Sequence, residues 1–141
     1  MRMWKERYKI GVPLIDAQHE ELFNRVSDFV KSLRAEGNWE DKLPMIRNTM
    51  EFMQEYVIVH FEEEEAYQRK IHYPYYEDHR RIHNDFREEV YSFVQEFKKD
   101  ESNEKLIQAF AGKLLAWLIN HVAAMDQKIA EYALSKGGTV E

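Results

Sequence analysis

Residues 46–64 read IRNTMEFMQEYVIVHFEEE, and the spacing within them decides the fold. Ile46, Met50, Met53, Val57, His60 and Glu64 recur at intervals of three and four, the period of one helix face. The stripe is apolar for most of its length and turns polar at its end, where His60 and Glu64 occupy positions that ought to hold core residues. Working outward, the helix extends over about 39–70, with Pro44 acceptable only in its first turn. The next block shows the same switch reversed. His79 and His83 come first, then Phe86, Val90, Phe93 and Phe97, which predicts a helix over about 75–98 after Tyr73 and Pro74.

Two further blocks complete the pattern. Leu22, Val26, Phe29 and Leu33 share a face of a helix expected over about 16–36, with Asp16 as its N-cap and Gly37 as its stop. Phe110, Leu114, Trp117 and His121 do the same over about 103–135, before a frayed end at Lys136, Gly137 and Gly138. Four helices with short connections predict an all-α protein, an antiparallel up-down-up-down four-helix bundle in one domain, 1–141. Residues 1–15 read as an N-terminal arm whose Trp4, Tyr8 and Ile10 cover the bundle.

Composition narrows the function classes. With 44% hydrophobic and 33% charged residues, the 141-residue chain is rich enough in apolar side chains to bury a core. A formal net charge of -6, broken only by the Arg80–Arg81 pair, argues against nucleic acid as a partner. No apolar run reaches the roughly 20 residues of a bilayer span, and Met1 to Ile10 mixes Lys, Arg and Glu, so the expectation is a cytoplasmic protein with no membrane contact. There is no cysteine. Disulfides, thiolate metal sites and cysteine nucleophiles are thereby excluded, and any metal must be held by nitrogen and oxygen.

The polar positions within the stripes form a constellation. Residues four apart lie about 40 degrees apart around a helix, so His60 with Glu64, and His79 with His83, are two chelating pairs. His19 lies near the start of the first helix, and His121 lies in the fourth with Asp126 five residues on. Up-down order brings all seven to one end. Burying such groups without a partner costs a few kcal/mol each, and five of the chain's six histidines fall in this set. His72, beside Tyr73 and Pro74, is read as exposed and uninvolved, and Glu62, Glu63 and Glu65 as a solvated acidic run. Seven nitrogen and oxygen donors exceed one tetrahedral zinc and suit two ions sharing carboxylates. Iron is favoured, while manganese, cobalt and zinc fit the same donors. Five residues turn a regular helix by about 500 degrees, which leaves His121 and Asp126 about 140 degrees apart. A π-bulge between them is therefore expected.

In order along the chain stand Trp4, Tyr8, Gly11, Ile15, Asp16, Gln18 and His19; His60, Phe61, Glu64 and Glu65; Tyr73, Pro74, His79, His83 and Phe86; and Trp117, Leu118, His121, Asp126 and Tyr132. On these motifs the sequence resembles the hemerythrins, specifically the single-domain bacterial ones, over almost its whole length. The resemblance implies a dioxygen-binding protein with no catalytic residues of its own. It implies two iron ions, Fe2+ or Fe3+, with a bridging oxo or hydroxo group. His79, His83 and His121 would hold one iron, His19 and His60 the other, and Glu64 and Asp126 would bridge them. Dioxygen would bind at a vacant position on the second iron, taking two electrons and returning them on release. Trp117 and Leu118 are the family's positions for the pocket wall. Where many bacterial members carry Leu then Met, this chain has Tyr67 and Gln68. Tyr67, seven residues after His60, is expected to point toward the metal end, either as core or as a hydrogen-bond donor to a bridging carboxylate or bound ligand.

Two other functions use the same centre: a di-iron oxidase, peroxidase or nitric oxide reductase, and a sensor of oxygen or nitric oxide. Small anions are further ligands, and a partner enzyme receiving oxygen is a further recipient. A metal-free bundle with a polar end is the structural alternative.

Overall fold

A computed structural model describes residues 4–135, which contain helices and no strand. The helices are α1 (Pro13–Arg34), α2 (Trp39–Lys70), α3 (Tyr76–Lys99), α4 (Glu104–Trp117) and α5 (Gln127–Ser135). A π-helical segment, Leu118–Met125, joins α4 to α5, so the last three pieces form the fourth helix of the bundle. The expected fraying at Lys136 to Gly138 lies outside the described residues. A short 3-10 turn, Glu6–Tyr8, precedes α1.

Helices α1 and α2, α2 and α3, α3 and α4, and α4 and α1 pack pairwise into a closed ring. Its core holds Phe29, Ile46, Met53, Phe61, Ile107, Phe110 and Leu114. Trp4 joins that core, edge-on to Phe23. On α3 Val94 is buried and Phe93 only half-buried, so one of the expected core positions sits at the rim.

Two local expectations change. Helix α1 begins at Pro13, where a missing N–H costs nothing and a fixed φ favours the first turn. Asp16 is therefore inside the helix, and its carboxylate accepts from Ile10 N at 2.7 Å and Gly11 N at 3.1 Å, tying the preceding chain to α1. Pro44 lies beyond the first turn of α2. That turn is held from outside, by the Trp39 indole donating to the Glu101 carbonyl at 2.7 Å and Lys42 donating to the Leu33 and Ala35 carbonyls, which offsets the bond proline cannot make. The loop before α2 needs Gly37, whose φ of 138° is unfavourable for any residue with a Cβ.

The fourth helix also corrects the reading of hydropathy. Glu104–Ser135 is long and apolar enough, by length and composition, to cross a membrane. In the bundle its apolar residues Ile107, Phe110, Leu114, Leu118, Val122 and Ile129 face the core, and small residues such as Ala109 and Gly112 on the outer face raise its apolarity further.

Candidate metal centre

The polar ends of the stripes meet. His19 of α1, His60 and Glu64 of α2, His79 and His83 of α3, His121 of the π segment and Asp126 just after it are each between 0% and 3% exposed. Burial of this kind follows from the periodicity, since each residue continues an apolar stripe. Asp126 is the exception, and the π segment supplies its reason. Its N–H donates to the carbonyl of His121, five residues back, at 2.8 Å, so the wider turn brings both side chains to one side. The segment starts at Leu118 and is longer than the single-turn bulge expected.

The two carboxylates divide their oxygens. Glu64 Oε2 lies 3.1 Å from His19 Nε2 and 3.3 Å from His60 Nε2. Its Oε1 lies 3.1 Å from His83 Nε2 and 3.5 Å from His79 Nε2. Asp126 Oδ2 lies 3.3 Å from His19 Nε2, while its Oδ1 lies 2.9 Å from His79 Nε2 and 3.1 Å from His121 Nε2. Each carboxylate thus faces two groups of imidazoles, one oxygen to each. Two donor sets capable of holding a metal result, Glu64 with His79, His83 and His121, and Glu64 with His19 and His60.

Electrostatics follow from burial opposed by these partners. Burial disfavours imidazolium, yet Asp126 and Glu64 hold His19 up at about 10. His83 is likewise held up at about 9, against burial, by Glu64 and Glu65. Burial dominates at His60, pushed down to about 4, and lowers His121. Burial would raise both carboxyls, but the surrounding imidazoles hold Glu64 well below its usual range. Asp126 is also lowered: burial and Glu64 oppose its ionisation, and His121 and His19 outweigh them.

Around these groups stands a set of partners that sequence reasoning missed. Gln18 Oε1 is 2.6 Å from His60 Nδ1, Glu65 Oε2 accepts from His83 Nδ1 at 2.8 Å, and the Gln68 amide is 2.7 Å from His79 Nδ1. Glu65 is thus not a solvated member of the acidic run. It lies four residues after Phe61, whose ring stacks on His83 at 3.9 Å, so it faces α3. Gln68 had a legible signal, since His60, Glu64 and Gln68 continue one stripe at intervals of four. Tyr56, one turn before His60, stacks on it at 4.7 Å with its hydroxyl buried and without a hydrogen-bond partner among the described residues.

Trp117 stacks between His121 and Phe86, 3.9 Å from each. Leu118 is fully buried. Tyr67 points inward and packs with Ile10, Ile15, Tyr73 and Ile129. His72 is exposed, as expected, and takes a positive φ of 55° where α2 turns into α3.

Fold and site define an all-helical protein that gathers imidazole and carboxylate donors, able to hold metal, at one end. Residues 10–133 match the family described as the hemerythrin HHE cation binding domain, and the chain belongs to the hemerythrin family. A bacteriohemerythrin of Clostridium acetobutylicum is 30% identical over 129 residues, covering 91% of this chain and 98% of that protein. A bacteriohemerythrin of Stenotrophomonas maltophilia is 24% identical, covering 92% and 79%. Hemerythrin subunit alpha of Lingula reevii is 30% identical over 125 residues, 89% of each chain.

Proposed function

We propose that this protein binds dioxygen reversibly at a pair of iron ions, as a carrier, store or source for a partner enzyme, and that it is not itself an enzyme. His79, His83 and His121 hold one ion, His19 and His60 the other, and Glu64 and Asp126 bridge them. The observation that carries the reading is the division of oxygens, one of each carboxylate facing each imidazole group.

The donor set fits metal better than it fits protons. Nε2 of His121 lies 2.8 Å from Nε2 of His79 and 3.2 Å from Nε2 of His83, and nitrogens so paired cannot all hold a proton or all accept one. Glu64 Oε1 and both Asp126 oxygens are buried without a hydrogen-bond partner among the described residues. A cation at each group satisfies nitrogens and oxygens together. Five neutral imidazoles with two carboxylates are poorer in anionic oxygen than carboxylate-rich di-iron sites, which favours binding over oxidation. The relatives are named as hemerythrins, and none for a reaction it catalyses.

Iron bound here supplies the electrons that dioxygen takes up and gives back. The chain's own part is to aim the imidazoles, and to exclude water with Trp117 and Leu118, with Tyr67 beside the site. The reading includes an up-down-up-down order with residues 1–15 as an arm. Its support is that the starts of α1 and α3 meet the end of α2 at the histidines, while Arg47 near the start of α2 pairs with Glu101 just after α3. A cytoplasmic location fits the acidic, cysteine-free chain and is checked by fractionation.

The test is an optical spectrum of reduced, iron-quantified protein under nitrogen, in air and after deoxygenation. Two iron ions per chain and a colour that comes with air and leaves without it are expected. One ion per chain, or oxidation that deoxygenation does not reverse, would overturn the reading.

A further inference from the structure

Gln68 sits on the last turn of α2 and is fully buried. Its backbone carbonyl accepts from Tyr73 N at 2.9 Å, which fixes the turn around it. Its side-chain Nε2 donates to His79 Nδ1 at 2.7 Å, and its Oε1 has no hydrogen-bond partner among the described residues. An amide half used in this way is a poor choice for packing alone, because an apolar side chain of the same length would fill the space without burying an idle acceptor.

The idle acceptor acquires a use when metal is considered. With Nδ1 accepting from Gln68, the proton of neutral His79 is on Nε2, which lies 2.8 Å from His121 Nε2 and 2.9 Å from Asp126 Oδ1. A metal ion takes the lone pair of Nε2, so the proton must then be on Nδ1, and Gln68 must accept rather than donate. A half-turn about the terminal torsion of Gln68 exchanges Oε1 for Nε2 at nearly the same position. An amide therefore serves both tautomers in turn. A carboxylate serves only the second, as Glu65 does for His83, and a thioether serves neither.

We infer that Gln68 is a positioning residue that sets the tautomer of His79, its amide turning over as metal binds and holding Nε2 in line with the ion. The inference rests on the metal centre proposed above. Zinc alone is the probe, because it is diamagnetic and does not change oxidation state. In the wild-type protein, 15N spectra should show His79 protonated on Nε2 without metal and on Nδ1 with zinc. Gln68→Met keeps length and apolar packing but removes both halves of the amide, and should weaken zinc binding at the His79 group by about 10- to 100-fold in chelator competition. Gln68→Glu should restore affinity to within a few-fold of wild type and show the Nδ1 proton before zinc is added. Zinc bound by Gln68→Met as tightly as by wild type, or one His79 tautomer throughout, overturns the inference alone. Wild-type protein that binds no zinc overturns the metal centre and this inference with it.

Discussion

The two ends of the bundle use the same helices and the same period to opposite effect. At the far end Phe29 meets Phe110 edge to face at 6.0 Å, with Ile46 and Ile107 fully buried beside them. At the near end the same stripes deliver His60, Glu64, His79 and His83 to positions equally buried. The apolar end is satisfied by its own contacts. The polar end is satisfied only when something binds to it, so the stability of one half of the molecule belongs partly to its ligand.

Metal removal tests that contrast with the largest expected effect. Metal at 1,000 times its dissociation constant stabilises the folded state by about 4 kcal/mol per site, so chelation should lower the melting temperature by many degrees. Hydrogen exchange should accelerate around His121 and Asp126 far more than around Phe110. An apo protein melting with the holo form would remove the contrast altogether. Without metal, the polar end also depends on protons. His19 and His83, held up at about 10 and 9, contribute stability that is complete below the unfolded value near 6.5 and lost as pH rises through 9 to 10. His60, pushed down to about 4, acts oppositely, since its charging in the unfolded chain costs stability as pH falls from 6.5 to 4. The metal-free protein should therefore be most stable near pH 6.5, and denaturant melts from pH 4 to 10 would show it. Zinc or iron should abolish the alkaline limb by replacing those protons.

The apolar end should respond to packing and ignore metal. Phe110→Ala is expected to cost about 3–5 kcal/mol, equally with and without metal, and to leave metal content unchanged in folded protein. A cost that depended on metal would mean the two ends are coupled. Leu118, where the ends meet, should show both behaviours. Leu118→Ala is expected to cost about 2–5 kcal/mol and also to accelerate autoxidation of the oxygenated protein, with iron content preserved. An oxygenated form as long-lived as wild type would reduce Leu118 to core.

The contrast also explains what the sequence discloses. Stripes at intervals of three and four made the four helices and the inward phase of His60, Glu64, His79 and His83 legible, because burial and periodicity are one property. Asp126 was legible only as a conflict with the regular period, resolved by the π segment. Asp16 was misplaced because a capping side chain and a carboxylate binding the chain before the helix look alike in sequence, and Pro13 was the stronger signal. Glu65 was lost in an acidic run, since only the tertiary position of Phe61 and His83 shows which way it faces. The period of α2 carries Gln68 inward with His60 and Glu64, but which histidine it meets is fixed by the neighbouring helix α3.

Tyr67→Phe should have the smallest effect. The ring belongs to the apolar cluster with Ile10, Ile15, Tyr73 and Ile129, and phenylalanine preserves that packing. The change removes one hydroxyl, and a hydrogen bond contributes about 1 kcal/mol net. Its neighbour Gln68 hydrogen-bonds a histidine ring, and the Tyr67 ring is placed in the packing, so the hydroxyl's influence on the centre should be small. We expect a stability change of about 1 kcal/mol or less and an autoxidation rate within about twofold of wild type, since twofold corresponds to about 0.4 kcal/mol at 1.4 kcal/mol per decade. A tenfold faster autoxidation with unchanged stability would show instead that the hydroxyl acts on the bound ligand, and would move Tyr67 from the packing of the near end into its chemistry.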